Sequence, residues 1–263
     1  MRQTWESRIQ RAEHLRSDRP QFHEILSFYQ TLLNAQAEIY RFLRTRRGWL
    51  PSGAIESDLS VLLDAIPGLL KAVKKAAPET LALEAESLMR ANSSEWVELL
   101  SDYWASRSDR QFFAKAVFQP YACWAREAGV SLATNRMVEA SECRCPFCYG
   151  KPQVAALTIK ETSSESGNRD LVCSTCLLTW PFRRVVCANC LEENPAKIGY
   201  YHAPEFEYVR VEACDSCRYY IKSVDLTKYG FADPLVDEVA SAPLDLWARD
   251  HDYTKIEMNL IGV

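Results

Sequence analysis

The stretch CSTCLLTWPFRRVVCANC, Cys173 to Cys190, carries two Cys-x-x-Cys pairs separated by ten residues. Whether those pairs close around one metal ion or two decides the architecture of the C-terminal half. Two more pairs flank the stretch, Cys145/Cys148 upstream and Cys214/Cys217 downstream. The gaps between successive pairs are 24, 10 and 23 residues. Long, short, long marks a duplicated unit, whose period is 42 residues from Cys145 to Cys187 and 41 from Cys173 to Cys214. Each unit is a pair, a hairpin-length insert, and a strand entering another pair: RDLVC leads into CSTC, and YVRVEAC into CDSC.

Four thiolates at about 2.3 Å from one metal must converge from two tight turns, each Cys-x-x-Cys supplying two of them. The ten residues LLTWPFRRVV contain no glycine, asparagine or aspartate and read as a strand with a proline in it. Extended, they span roughly 30 Å. The reading is therefore two metals, one on Cys145, Cys148, Cys173 and Cys176, the other on Cys187, Cys190, Cys214 and Cys217. Spacing alone leaves a cross-braced or nested pairing open. The plan is that of a zinc ribbon or rubredoxin-like knuckle site.

The remaining cysteines read differently. Cys123 is a buried helix residue, and Cys143 is an alternative to Cys145, disfavoured because CPFC has the usual knuckle form. His202 reads as a hairpin side chain rather than a ligand. With all four positions of each site filled by protein thiolates, no position stays open for substrate. Ribbons of some 40 residues build little core, so a metal supplies folding energy. A dithiol redox enzyme needs one pair set apart by a depressed thiol pKa, and nothing distinguishes one pair here. Nor is there a nucleophile triad, a phosphate loop or a spaced carboxylate pair. The chain reads as a non-enzyme.

Composition narrows the classes further. At 263 residues with 48% hydrophobic and 25% charged residues, the chain can build ordinary packed cores. The start, MRQTWESRIQRAEH, is charged and lacks the apolar run of a signal peptide. No apolar run approaches the ~18 residues a membrane span needs. The expectation is a cytoplasmic protein with no membrane insertion, where ten cysteines stay reduced rather than forming disulfides. Residues 141–263 hold 13 basic against 18 acidic residues. Nucleic-acid binders present the opposite sign, so no nucleic-acid partner is expected.

Residues 1–140 read as helices. HEILSFYQTLLNAQAEIYRFLRT, His23 to Thr45, sets Ile25, Phe28, Leu32, Leu33, Ile39, Phe42 and Leu43 at helical steps. AIESDLSVLLDAIPGLLKAVKKAA reads as two short helices divided at Pro67-Gly68, and Pro78 begins another. A serine of Ser93-Ser94 is available to cap EWVELLSDYWAS. A last long helix, DRQFFAKAVFQPYACWAREAGV, has Asp109 as its candidate cap, is kinked at Pro120, and stops at Gly129. From about Glu139 the texture changes to strand-like runs: QVAALTIKET, RDLVC, FRRVVC and YVRVEAC. A closing helical segment, DPLVDEVASAPLDLWARDH, has Asp233 as its cap and Pro234 in the first helical position.

Several of these features together resemble the FdhE family, accessory proteins for formate dehydrogenase. They are CPFCYGKPQV, CSTC with Trp180 four residues beyond it, RVVCANC, the insert KIGYYH, VEACDSC followed by YYIKSVD, the tail ADPLVDEVASAPLDLWARDHDY…NLIGV, and QPYA at Gln119–Ala122. The resemblance covers nearly all of residues 110–263. It implies a cytoplasmic maturation factor that binds the catalytic subunit of formate dehydrogenase and is required for active enzyme. It also implies two iron ions per chain on the eight cysteines, with zinc as the alternative. One departure stands out: rubredoxin-type knuckles often carry glycine after the second cysteine, where this chain has Tyr149, Leu177, Leu191 and Arg218.

The expected architecture is α+β: a multi-helix domain over 1–140, a first rubredoxin-like or zinc-ribbon-like module over 141–184, and a second over 185–263 that ends in a C-terminal helix. Two other functions compete. A nucleic-acid-binding zinc-ribbon protein would show salt-dependent DNA retention. A rubredoxin-like electron carrier would need iron and reversible reduction.

Overall fold

The computed structural model describes residues 4–106, 111–132, 141–159 and 167–262. The chain divides into two compact units, Met1–Asn135 and Arg136–Val263. The described helices of the first unit are α1 (Trp5–Asp18), α2 (His23–Thr45), α3 (Ile55–Ala76), α4 (Glu79–Leu88), α5 (Ser93–Ser106) and α6 (Phe112–Glu127). The α2 stripe is the spine of this unit. Leu26, Leu32, Leu33, Ile39 and Leu43 are buried on it, and it packs against α1, α3 and α6. A buried Gln36 amide donates to the Ala116 carbonyl and to Gln119, stitching α2 to α6.

Three local expectations differ from what the chain does. Residues 55–76 form one helix with Pro67 inside it, not two. Leu62, Ile66, Leu69, Leu70 and Val73 are buried on either side of the proline, and that packing outweighs the ~3 kcal/mol a mid-helix proline costs. The cap of α5 is Asn92, not a serine: its Oδ1 accepts from the Ser94 and Glu95 amides, while the Glu95 carboxylate accepts from the Asn92 backbone amide. That is a reciprocal capping box. The proposed cap Asp109 lies outside the described residues. Helix α1 falls within the expected helical stretch but shows no clear apolar stripe of its own, because Arg8 and Arg11 stand among its buried residues.

The second unit is built on one sheet: β1 (Pro152–Thr158), β2 (Asn168–Cys173), β3 (Thr179–Phe182), β4 (Ile198–Tyr201), β5 (Val209–Cys214), β6 (Tyr219–Asp225) and β7 (Thr254–Lys255). The strand order is β3-β2-β1-β6-β5-β4, with β7 beside the start of β6. Each cysteine unit contributes a three-stranded antiparallel meander, β1-β2-β3 and β4-β5-β6. The two meanders join where β1 runs parallel to β6, Val154 opposite Lys222 and Ala156 opposite Val224. A sequence repeat displaced by one meander thus becomes a continuous sheet.

The closing segment forms two short helices, α7 (Pro234–Val239) and α8 (Ala242–Asp250). Asp233 caps α7 by accepting from the Leu235 and Val236 amides. These helices are tied to the sheet by buried charges. Lys222 on β6 bonds Glu238, Ser241 and Asp245, and Lys255 on β7 pairs with Glu238 and Asp245. Asn259 and Gln153 donate to the same Glu238 carboxylate. Two buried ammonium groups facing two buried carboxylates are tolerable only because each is paired and hydrogen-bonded.

The segment joining the two meanders differs from its expected form, a strand with a proline in it. The strand there is Thr179–Phe182, and the chain then turns at Arg184–Val185 instead of running on as a strand through FRRVVC. No local turn residue drives this. Arg169 on β2, buried over the Phe182 ring, donates one guanidinium nitrogen to the carbonyls of both Arg183 and Val186. Its other nitrogen pairs with Glu212 on β5 at 2.6 Å. One side chain from the first meander therefore sets the turn that launches the second.

Candidate metal centres

The thiols meet in two groups of four: Cys145, Cys148, Cys173 and Cys176, and separately Cys187, Cys190, Cys214 and Cys217. Within each group all Sγ atoms lie within 4.8 Å of one another. In the first, Cys145–Cys176 is 3.5 Å and Cys148–Cys173 is 3.4 Å. In the second, Cys187–Cys217 is 3.7 Å and Cys190–Cys214 is 3.8 Å. A tetrahedron of sulfurs about 2.3 Å from a central ion has edges of about 3.8 Å, so both groups have the size a single tetrathiolate-bound ion requires. An S4 tetrahedron suits zinc and iron alike.

The knuckles share one backbone plan. The amide of the first cysteine donates to the carbonyl five residues on, Cys145 to Gly150, Cys173 to Leu178 and Cys187 to Glu192. The residue after the second cysteine donates back to the first cysteine's carbonyl in Tyr149, Leu191 and Arg218. This closure needs a left-handed residue directly after the second cysteine. Tyr149, Leu177, Leu191 and Arg218 adopt it, with φ of 60°, 54°, 64° and 60°. The missing glycines leave the geometry intact, at about 1–2 kcal/mol of strain per position.

Amides aim at the sulfurs. Thr175 and Cys176 donate to Cys173, and Asn189 donates its backbone amide to Cys187 and its side chain to Cys217. Such donors offset thiolate charge. Burial pushes the Cys176 and Cys187 thiols well up, and Cys190 up to about 11. At Cys217 burial also acts upward, but the Tyr219 amide, Asn189 and the neighbouring thiols outweigh it and hold the group below its ordinary value. Buried thiols of this kind ionise when a cation replaces their protons.

Glycine matters at one point. A Cβ on Gly150 would stand 2.9 Å from Cys173 Sγ and 3.0 Å from Thr175 Oγ1. The other two cysteines stand outside both groups: Cys123 is buried in α6, and Cys143 is buried with its Sγ 3.8 Å from the Cys187 carbonyl. His202 is exposed. In the segment GYYHAPEFEYVRV, Gly199 to Val211, Phe206 is buried and Tyr208 donates to Asp237, whereas Tyr200 and Tyr201 are exposed. Trp180, singled out in the sequence, donates its indole N–H to the Glu142 carbonyl and anchors the approach to the first knuckle. Sequence reasoning missed Arg169 and Glu212, because Asp170 and Arg210 on the same strands carry charge too and nothing in the sequence sets the buried pair apart.

Residues 185–261 match the family model "FdhE, C-terminal domain". A "Protein FdhE homolog" of Aquifex aeolicus is 38% identical over 118 residues, spanning 45% of this chain and 41% of that protein. Another, of Proteus mirabilis, is 26% identical over 288 residues, spanning 98% of this chain and 88% of that protein. The chain is similar to FdhE proteins along nearly its whole length. The crystal structure of the FdhE protein from Pseudomonas aeruginosa shares the fold, with a TM-score of 0.69 at 22% identity over 98% of this chain and 95% of that one. The match to the Aquifex protein thus spans under half of that protein's length. No helix among the described residues is long and apolar enough to cross a membrane.

Proposed function

We propose that this chain is a non-enzymatic maturation factor that binds the catalytic subunit of formate dehydrogenase in the cytoplasm and holds one metal ion in each tetracysteine cluster. The ligands are Cys145, Cys148, Cys173 and Cys176 in the first site, and Cys187, Cys190, Cys214 and Cys217 in the second. The observation that carries this reading is the pair of closed sulfur tetrahedra on one sheet in a chain similar to FdhE proteins. Four protein thiolates leave no coordination position for a substrate, so each ion braces the meander that carries its ligands. Modules 141–184 and 185–263 then act as a braced surface.

The exposed pair Tyr200 and Tyr201 is the surface we assign to the catalytic subunit. Tyr200 stacks under the Arg210 guanidinium at 4.6 Å, and Tyr201 meets the Trp247 ring at 4.5 Å. Rigid aromatic groups with one wet face are favoured anchors in protein interfaces. The test is co-purification of the catalytic subunit with wild type, with Cys214→Ser/Cys217→Ser, and with Tyr201→Ala. Weaker capture and lower mature enzyme activity with the cysteine variant support the reading. Undiminished capture and activity refute a client role for this half.

A further inference from the structure

The two clusters match in shape and differ in access. Cys145, Cys148, Cys173 and Cys176 are each at most 1% exposed, whereas Cys190 is exposed and Cys217 half-buried. In the first site the residues inside the second pair, Ser174 and Thr175, are buried as well, and Gly150 is pressed so close to Cys173 that a methyl group would not fit. In the second site the corresponding residues Asp215 and Ser216 are exposed, and so is Leu191, which follows Cys190. A donor atom from solvent can therefore reach the edge between Cys190 and Cys217, but not the first cluster.

We propose that the second cluster is a kinetically open metal site, whose ion exchanges with soft-donor ligands from solvent through Cys190 and Cys217 while the first cluster retains its ion. This rests on the reading that both clusters hold metal. In the exchange Cys190 Sγ gives up its bond to the ion as a donor atom of the incoming ligand takes its place. Both bonding electrons stay on sulfur, the thiolate takes a proton from water, and nothing is oxidised or reduced. Water at Cys190 and the Asn189 side-chain amide at Cys217, 3.7 Å from its sulfur, receive the released thiolates. Partly exposed thiolates are the reactive ones. The β4–β5 hairpin, with Tyr200 and Tyr201, is then ordered or loosened by metal supply, while the first meander is not.

The test uses the full chain loaded with two equivalents of zinc and mixed with excess of a chromogenic pyridylazo chelator. Two phases of one equivalent each are expected, the fast one at least about tenfold faster. Cys145→Ser/Cys148→Ser should retain only the fast phase, and Cys214→Ser/Cys217→Ser only the slow one. Limited iodoacetamide treatment of the zinc-loaded wild type, mapped by mass spectrometry, should label Cys190 first among the eight ligands, and this needs no variant. Release of both equivalents at one rate, or labelling that starts at the first cluster, overturns the proposal and leaves two bound metals standing. A chain that retains no zinc through gel filtration overturns the metal reading itself.

Discussion

Replacing Leu191 by glycine should tighten the second metal site. Leu191 follows Cys190, holds φ at 64°, and is exposed. A side chain in the left-handed region costs about 1–2 kcal/mol that glycine avoids, and glycine gives back about 0.5–1 kcal/mol through its freer unfolded chain. The net gain is about 0.5–1 kcal/mol. Since ordering the knuckle is coupled to metal binding, zinc affinity should rise about two- to fivefold. Leu177 makes the opposite case at the first site. It holds φ at 54° but is buried, so removing its side chain forfeits about 1.5–3 kcal/mol, which exceeds the relieved strain. Leu177→Gly should therefore weaken the first site. The assay is equilibrium competition with a zinc chelator, run on Cys145→Ser/Cys148→Ser for Leu191→Gly and on Cys214→Ser/Cys217→Ser for Leu177→Gly. Unchanged or weaker zinc binding with Leu191→Gly, or tighter binding with Leu177→Gly, would refute the strain argument.

Gly150→Ala should cost the first site its zinc and spare the second, because its Cβ would stand 2.9 Å from Cys173 Sγ; metal counting on the purified variant reads this directly. Glu238→Ala strips Lys222 and Lys255 of a shared buried carboxylate, so it should lower the stability of the strand unit by about 3–5 kcal/mol, seen as a lower urea midpoint. The same network sets a pH signature. Burial pushes Asp245 upward, but the Lys222 and Lys255 ammonium groups outweigh it and hold its pKa below the ordinary value. Burial pushes Lys255 downward, but Glu238 and Asp245 outweigh that and raise it. The Asp245 contribution is full above the unfolded carboxylate pKa of about 3.9 and disappears as pH falls through the depressed value; that of Lys255 is full below about 10.4 and disappears as pH rises through the raised one. The stability gap between wild type and Asp245→Asn should therefore hold from about pH 5 to pH 9 and shrink below about pH 4. A gap that grows on acidification contradicts the assigned pairing.

Much of the candidate site was legible because its spacing carries the geometry. A 42- and 41-residue period in the cysteine pairs groups them as the sulfurs are grouped in space. Cys173/Cys176 and Cys187/Cys190 belong to different groups even though LLTWPFRRVV, which reads as extended, does turn. Its turn is held by Arg169, more than a dozen residues upstream, through carbonyl contacts that no local turn chemistry announces. Pro67 misled for a related reason: tertiary packing on both sides of it overrides a local helix breaker. The four positive-φ residues were visible only as missing glycines; that the backbone would keep the left-handed turn regardless follows from the closure bonds around each knuckle. The parallel β1–β6 seam had no sequence signal, because strand pairing between repeats depends on register rather than on any motif.

The most direct test of the account is metal counting joined to X-ray absorption on anaerobically purified full-length protein. The expected result is two ions per chain, each with four sulfur neighbours at about 2.3 Å, one ion being lost with Cys145→Ser/Cys148→Ser and the other with Cys214→Ser/Cys217→Ser. One ion per chain, or a shell in which nitrogen or oxygen replaces sulfur, would contradict two closed tetrathiolate sites.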